Sequence, residues 1–449
     1  MKSFQKALAG LTMSLLFIVP FTVTAQRSDR AITPTEQKEL IDKAFVILKK
    51  NYIFPQKLVH MEATINKKRE SGAYAKGTTV EDFLKNLNTD LETLSNDRHV
   101  NIFFDPVRVA QVDAEARNKS KEPAYVPTFL ERAKYENYMV RKAERLDGNV
   151  GYLKFNSFVD AALSKPTLVA AMNFLHNSSA LIIDLRQNGG GHATTCAFLL
   201  SYFLPDSTLL MQGRSRANNE VTKSYTVKDA AVQKFEKSMP LYILTSGRTS
   251  SAAEAFAYVL QAQRRAVIVG DTTNGEANPG YQFSLNSEMY MMVPAFESTN
   301  PITKTNWQGR GVVPDVAVAA DKALTMAQAA AYGQLAATTT VKERKTMYDW
   351  MATGMMAEVA PAPATGIDLT LFAGDYADNR KISFKEGQLF YERTGSTGGP
   401  QKLVLLKEAL FSLEGLPFFR VRFVKNEGGR VTGLQGLYDD GKEEFSKKL

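Results

Sequence analysis

Thr245-Ser246-Gly247-Arg248-Thr249-Ser250-Ser251-Ala252-Ala253-Glu254 joins a short apolar strand, Leu241 to Thr245, to a helix that opens near Ser251. A hydroxyl at a strand-to-helix turn is where an α/β fold can present a nucleophile. The helix N-terminus behind it favours developing negative charge. The same Ser-x-x-Glu spacing spells a helix capping box. Ser251 therefore carries two readings, nucleophile and cap, and its immediate neighbours do not choose between them.

Outward from this point the chain alternates strand and helix. The pattern predicts strands over Tyr138 to Leu146 and Val150 to Phe158, a helix from Pro166 to Asn177, and a buried strand from Ser179 to Asp184. A glycine-rich turn follows, then a helix from about His192 to Leu204. Beyond the quoted stretch come a strand at Ala266 to Gly270 and a helix from about Ala323 to Met356. Such alternation is built from crossover units, so the expectation is an α/β core.

Two other regions flank it. Residues 34–120 read as helical: Thr33 or Thr35 can cap a first helix. Val80, Phe83, Leu84, Leu87, Leu91 and Leu94 lie at helical spacing in another, and a strand at 99–104 follows. After Ala360-Pro-Ala-Pro-Ala364, a linker by composition, short alternating runs separated by glycine turns predict a small antiparallel β domain. The expected division is a leader over 1–25, an N-terminal helical domain over 26–120, the α/β core over 121–356, a linker over 357–366 and the β domain over 367–449.

The leader expectation rests on Lys2 and Lys6, an apolar run from Leu8 to Val23, and small residues ending at Ala25. That order reads as a cleavable export signal, with no stable membrane insertion once it is removed. One cysteine, Cys196, permits no intrachain disulfide, so the expected location is a periplasm or the exterior, with a core that needs no staples. A net charge of +8 is scattered, without an aromatic–basic stripe, which argues against nucleic acid as partner. No metal or other cofactor is expected, and the oligomeric state is not legible.

A serine nucleophile needs a base and oxyanion donors. The four histidines are His60, His99, His176 and His192. His60 and His176 read as structural or surface residues, and His192 as a cap or surface residue. His99 lies at an element junction, where side chains reach into clefts. The loop Asp184-Leu-Arg-Gln-Asn-Gly-Gly-Gly191 follows a buried strand, and its amides form either an anion nest or a plain tight turn. It is neither a Walker loop nor a dinucleotide fingerprint.

Four motifs in order resemble the tail-specific protease superfamily. They are Asp-Leu-Arg-x-Asn-Gly-Gly-Gly, Thr-Ser-x-x-Thr-x-Ser-Ala-Ala-Glu, Val-Gly-Asp-Thr-Thr-x-Gly (269–275) and Gly-x-Gly-Val-Val-Pro-Asp (309–315). Asp97-Arg98-His99 resembles the Asp-x-His motif of the branch that holds tricorn core protease and interphotoreceptor retinoid-binding protein. The resemblance spans about 34 to 350. It implies a ClpP/crotonase-like core, Ser251 as nucleophile, His99 as general base, and an oxyanion hole of the Ala252 amide with a glycine amide from Gly189 to Gly191, Gly190 foremost.

Four departures from that pattern matter. The serine–lysine branch has its lysine about where Glu276 stands, and no lysine occurs between Ser251 and Lys304. The histidine branch has a glutamate where this chain has Gln308, which can accept an imidazole N–H but supplies no charge. Either Gln308 weakens turnover, or a nearby carboxylate, Glu276 or Asp97, substitutes. A serine precedes the histidine in tricorn, where Arg98 stands here. About fifty residues separate His99 from Val150, too few for a PDZ module. The resulting expectation is an exported serine endopeptidase acting on unfolded or partly degraded polypeptide. The alternatives are a non-catalytic binder of an apolar ligand and an esterase using the same residues.

Overall fold

A computed structural model describes residues 29–74, 79–118, 125–361, 366–395 and 398–449. The leader expected at 1–25 and part of the expected Ala/Pro linker lie outside the described residues. The chain opens with helices α1 (Pro34–Asn51), α2 (Leu58–Glu70) and α3 (Val80–Ser95). Thr33 starts α1 through a full capping box with Glu36. Thr79 caps α3, and Val80, Phe83, Leu84, Leu87 and Leu91 bury one face of it. Each such side chain contributes about 1.5–3 kcal/mol when removed from water.

Strand β1 (Asn101–Phe104) follows α3, shorter than the expected 99–104 because Asp97 to Val100 form the turn that carries His99. Asn88 of α3 holds β1 by both amide atoms. Its Nδ2 donates to Ile102 O at 2.8 Å and its Oδ1 accepts from Ile102 N at 2.9 Å. Helices α4 (Pro106–Arg117) and α5 (Pro127–Tyr135) lead into the core.

The core sheet uses β2 (Val140–Leu146), β3 (Val150–Phe155), β4 (Ala180–Asp184), β7 (Leu241–Thr245), β8 (Val267–Gly270) and β12 (Val316–Ala317). Their spatial order is β12-β8-β7-β4-β3-β2. All neighbours are parallel except the β2–β3 pair. Helices α6 (Ala161–Leu175), α7 (Ala193–Leu200) and α8 (Ala252–Ala262) cover one face, and α9 (Ala323–Thr338) and α10 (Lys342–Val359) the other. Strand alternation decides which residue faces which layer. Leu181, Ile183, Leu241 and Ile243 join the first core, while Ala180, Ile182, Tyr242 and Leu244 join the second. The register pairs Asp184 with Leu244 and Thr245 with Gly270. The loops after β4, β7 and β8 therefore gather at one carboxyl edge, where open α/β sheets place their sites.

Several elements depart from expectation. α6 starts five residues before Pro166, because Asp160 accepts the Ala162 N–H at 3.0 Å and Pro166 is tolerated inside the helix. α7 ends at Leu200 rather than Leu204. The helix expected over 323–356 is two helices, broken where Thr339 turns extended within a β-branched run. Further strands were not anticipated: β5 (Leu209–Ser215), β6 (Val221–Tyr225), β9 (Gly280–Ser284), β10 (Met289–Pro294) and β11 (Phe296–Thr299). β10 pairs with both β1 and β9, and Leu285, Met289, Met291 and Val293 pack among α1–α3. The N-terminal unit is thus completed by a hairpin from beyond α8, which ties the His99 segment to the core.

The C-terminal strands β13 (Gly374–Tyr376) through β20 (Glu443–Lys447) form an eight-stranded antiparallel meander. A bridge between Tyr376 and Lys448 brings its two ends together around Phe372, Phe411, Phe423 and Leu434. α10 continues into the stretch expected as linker, and the Arg420 guanidinium lies 3.8 Å over its Trp350 ring. Among the described residues no helix is long and apolar enough to cross a membrane.

Candidate active site

Ser251 is the N-cap of α8, with φ 54° and ψ −116°. A non-glycine residue holds that conformation only where its surroundings enforce it. The surroundings are explicit. Glu254 Oε2 accepts the Ser251 N–H at 2.8 Å, Ser251 O accepts from Ala255 N at 2.9 Å, and Asn188 O takes the Ser250 N–H at 3.1 Å. Neither Thr249 nor Ser250 caps α8 in its place. Thr249 Oγ1 accepts from Ser246 N and donates to Leu185 O, and Ser250 Oγ is buried without a partner. The capping box is formed in outline, but the Ser251 hydroxyl makes no full cap bond. It lies 3.1 Å from His99 Nε2 instead. Cap and candidate nucleophile are therefore compatible at one residue.

Glu254 is fully buried and accepts four hydrogen bonds: from Ser251 N, Thr273 Oγ1 (2.5 Å), Gly275 N (2.6 Å) and Glu276 N (2.8 Å). Burial raises its pKa and these four donors oppose the shift. The carboxylate staples the loop after β8 to the first turn of α8. Asn188, also buried, does the same for the glycine turn. Its Nδ2 donates to Phe155 O at 2.9 Å, and its Oδ1 accepts the Gly190 N–H at 2.9 Å. Neither residue is expected at the site from the sequence, although Glu254 ends the quoted capping box and Asn188 lies inside the glycine motif.

Gly190 therefore differs from its expected role, because its N–H is already engaged by Asn188. Its own contribution is close approach: at φ +94°, an added Cβ would stand 2.8 Å from Ser251 Cβ and 2.9 Å from Ala252 N. The next amide, Gly191 N–H, makes no hydrogen bond among the described residues, and neither does Ala252 N–H. Both residues line the pocket that opens at Ser251.

His99 is buried, and burial lowers its pKa to about 4, so the imidazole is neutral at ordinary pH and Nε2 can accept a proton. Its Nδ1 has no hydrogen-bond partner. The nearest carboxylate oxygen is Asp97 Oδ1 at 3.9 Å, which also accepts the His99 backbone N–H at 3.1 Å. Burial pushes the Asp97 carboxyl up to about 6, opposed by the His99 N–H, Lys57, Gln308 and Tyr52.

Gln308 stands beside Asp97, but not where it was expected to act. Its Oε1 accepts the Ala277 N–H at 2.8 Å, so that oxygen is not turned to the imidazole. Glu276 makes no hydrogen bond to His99. It lines the Ser251 pocket, and burial, with the Glu254 charge next, raises its carboxyl to about 7. The remaining histidines stand apart. His60 is exposed on α2, His176 packs 5.3 Å from the Phe235 ring, and His192 Nδ1 lies 3.5 Å from Asp160. The described residues contain no group of three or more His, Cys, Asp or Glu side chains able to hold a metal.

Beside Ser251 a cavity of about 310 Å³ is walled by Leu200, Leu210, Val259, Phe296 and Trp307, with Cys196 at its side. Burial raises the Cys196 thiol to about 12, so it acts as a small apolar wall group rather than a nucleophile. The site thus combines a hydroxyl against a neutral imidazole, two undonated amides and an apolar pocket.

Residues 149–318 match the family described as peptidase family S41, and residues 33–143 match the N-terminal domain of peptidase S41 in eukaryotic IRBP. A carboxy-terminal-processing protease of Bartonella bacilliformis is 27% identical over 39% of this chain and 40% of its own length. A tail-specific protease of Haemophilus influenzae is 30% identical over 32% of this chain and 20% of its own. The chain thus spans well under half the length of these curated relatives. The solved photosystem II D1 C-terminal processing protease overlaps at TM-score 0.37 and 14% identity, covering 65% of this chain and 94% of that one. The first match covers all three loops that meet at Ser251, the second covers the segment that carries His99, and the chain belongs to peptidase family S41.

Proposed function

We propose that the protein is a serine peptidase that hydrolyses peptide bonds in unfolded or partly degraded polypeptide. The observation that carries this is the 3.1 Å approach of Ser251 Oγ to the Nε2 of a neutral, buried His99, from positions 152 residues apart. Ser251 Oγ attacks the carbonyl carbon while His99 Nε2 takes its proton, and the imidazolium then gives that proton to the leaving amine. The amides of Ala252 and Gly191 donate to the oxyanion. A water activated by the same imidazole releases the acyl group. Asp97 is the carboxylate that faces the imidazolium. Gln308 acts one step away, fixing Ala277 and lying against Asp97.

The leader at 1–25 supports export to a periplasm or the exterior. The apolar pocket suits an apolar side chain of an extended substrate, and it is also the surface a non-catalytic apolar-ligand binder would use. One experiment separates the readings: a labelled unfolded protein incubated with wild type, Ser251→Ala, His99→Ala and Gln308→Glu. Wild type releases peptides and the first two variants do not. Release that persists in Ser251→Ala rules out the serine mechanism. An apolar fluorophore bound by every variant, with cleavage by none, gives the binder. Hydrolysis of simple esters without release of peptides gives the esterase.

A further inference from the structure

Ser251 and His99 come from different units of the fold, so something must hold the two units in register. Arg98, immediately before the base, projects across that junction. Its Nη1 donates to Asn274 O at 3.0 Å and also to Asn274 Oδ1. Asn274 belongs to the loop after β8, and its own N–H donates to Thr249 O at 3.0 Å, two residues before Ser251. The following residues of that loop, Gly275 and Glu276, are bound by Glu254 at the foot of α8. On its own side, Arg98 Nε donates to Glu92 of α3 at 2.7 Å, and Arg98 O accepts from Asn101 Nδ2 at 2.8 Å.

We propose that Arg98 is a positioning residue, a latch that clips the His99 segment to the loop supporting the nucleophile and so sets the Ser251–His99 distance. The inference rests on the peptidase reading of the site. The guanidinium is half exposed, with 50% of its side-chain surface accessible, so its contribution to overall stability is small. Its leverage lies in geometry. Displacing one reacting group by about 1 Å costs on the order of 10²-fold in rate, and the latch acts one residue from the base. A lysine at 98 can reach one acceptor but cannot span Glu92 and Asn274 with separate donors, so it restores only part of the function.

The test uses the full chain with Arg98→Ala, Arg98→Lys, Asn274→Ala and the Arg98→Ala/Asn274→Ala pair. The measurements are kcat and KM on a quenched unfolded substrate, Tm, and amide exchange over 97–104. The latch predicts a kcat at least about tenfold lower in Arg98→Ala, with KM and Tm nearly unchanged and partial recovery in Arg98→Lys. The double variant is no worse than Arg98→Ala alone, because that substitution already removes every bond from Arg98 to Asn274, while Asn274→Ala leaves the bond to the Asn274 carbonyl and has the smaller effect. Exchange over 97–104 speeds up while β4 and β7 stay protected. Unchanged kcat in Arg98→Ala, independent multiplying effects of the two substitutions, or a kcat loss that follows Tm would each overturn the latch. A wild type without turnover overturns the peptidase reading instead. The exchange measurement then still decides the latch, which fails if 97–104 exchanges alike in wild type and Arg98→Ala.

Discussion

Asp97→Asn separates the two candidates for partner of the base. Asparagine keeps an oxygen to accept the His99 N–H, so the turn at 97–99 survives and only the charge is removed. Asp97 Oδ1 lies 3.9 Å from His99 Nδ1. At an effective dielectric of about 20, a carboxylate and an imidazolium at that distance attract by about 4 kcal/mol. The imidazole is neutral before attack and charged in the transition state. The attraction is therefore gained only there and appears in kcat rather than KM. About 4 kcal/mol corresponds to a loss of roughly 10³-fold in kcat. Gln308→Leu removes no charge. It leaves the Ala277 N–H without its acceptor, which costs about 1–3 kcal/mol of stability and a smaller, roughly tenfold, part of the rate. The assay is kcat and KM on a quenched unfolded peptide from pH 4.5 to 8.5, with Tm as the folding control. In the wild type, kcat falls as pH drops through about 6, where Asp97 gains its proton, although His99 itself stays neutral down to about 4. Asp97→Asn lacks that step. A folded Asp97→Asn within threefold of wild type, beside a Gln308→Leu that loses about 10³-fold, would return the role to Gln308 and refute the electrostatic argument.

Other substitutions probe the supporting geometry. Ser251→Gly and Ser251→Ala both abolish peptide release, but only glycine relaxes at φ 54°, so its thermal unfolding lies above that of Ser251→Ala by about 1 kcal/mol. Gly190→Ala forces a methyl against Ser251 Cβ and Ala252 N at a positive φ, and is expected to lose at least about 10²-fold in kcat as the turn shifts. Glu276→Gln tests the partly buried carboxyl that lines the Ser251 pocket. Its folded pKa, about 7, lies above the unfolded value. The ionised form is thus disfavoured by folding, and stability declines as pH rises from about 4.5 through 7. Glutamine removes that decline, so Tm rises by about 2–4 °C at pH 8 and stays level at pH 4.5.

What could be read in advance follows from how local each signal is. α3 is legible because its cap, Thr79, and its apolar face lie within one 16-residue stretch. β4 and β7 are legible because both their faces are buried, which leaves unbroken apolar runs. Pro166 misplaced the start of α6, since a proline marks an N-terminus only when no better cap lies upstream, and Asp160 does. β6 has every residue exposed, and β9 is only half buried, so neither shows an alternation to find. β10 reaches β1 across nearly two hundred residues, through pairs such as Phe104 with Met289.

The site divides along the same line. Ser251, Ala252 and His99 stand in motifs whose order along the chain carries the resemblance, and Asp97 stands two residues from His99 in the same motif. The choice between Gly190 and Gly191 depends on where one side-chain oxygen of Asn188 points. The choice between Asp97 and Gln308 depends on the Ala277 N–H, 31 residues before Gln308, claiming its carbonyl first. A buried donor must be satisfied, and the Ala277 N–H is satisfied by Gln308 Oε1 at 2.8 Å, so the amide at 308 is held by the backbone rather than by the imidazole. A carboxylate at 308 has more acceptor sites than an amide oxygen and can serve both groups, which is why Gln308→Glu is the substitution expected to add a second charge to the base rather than exchange one partner for another.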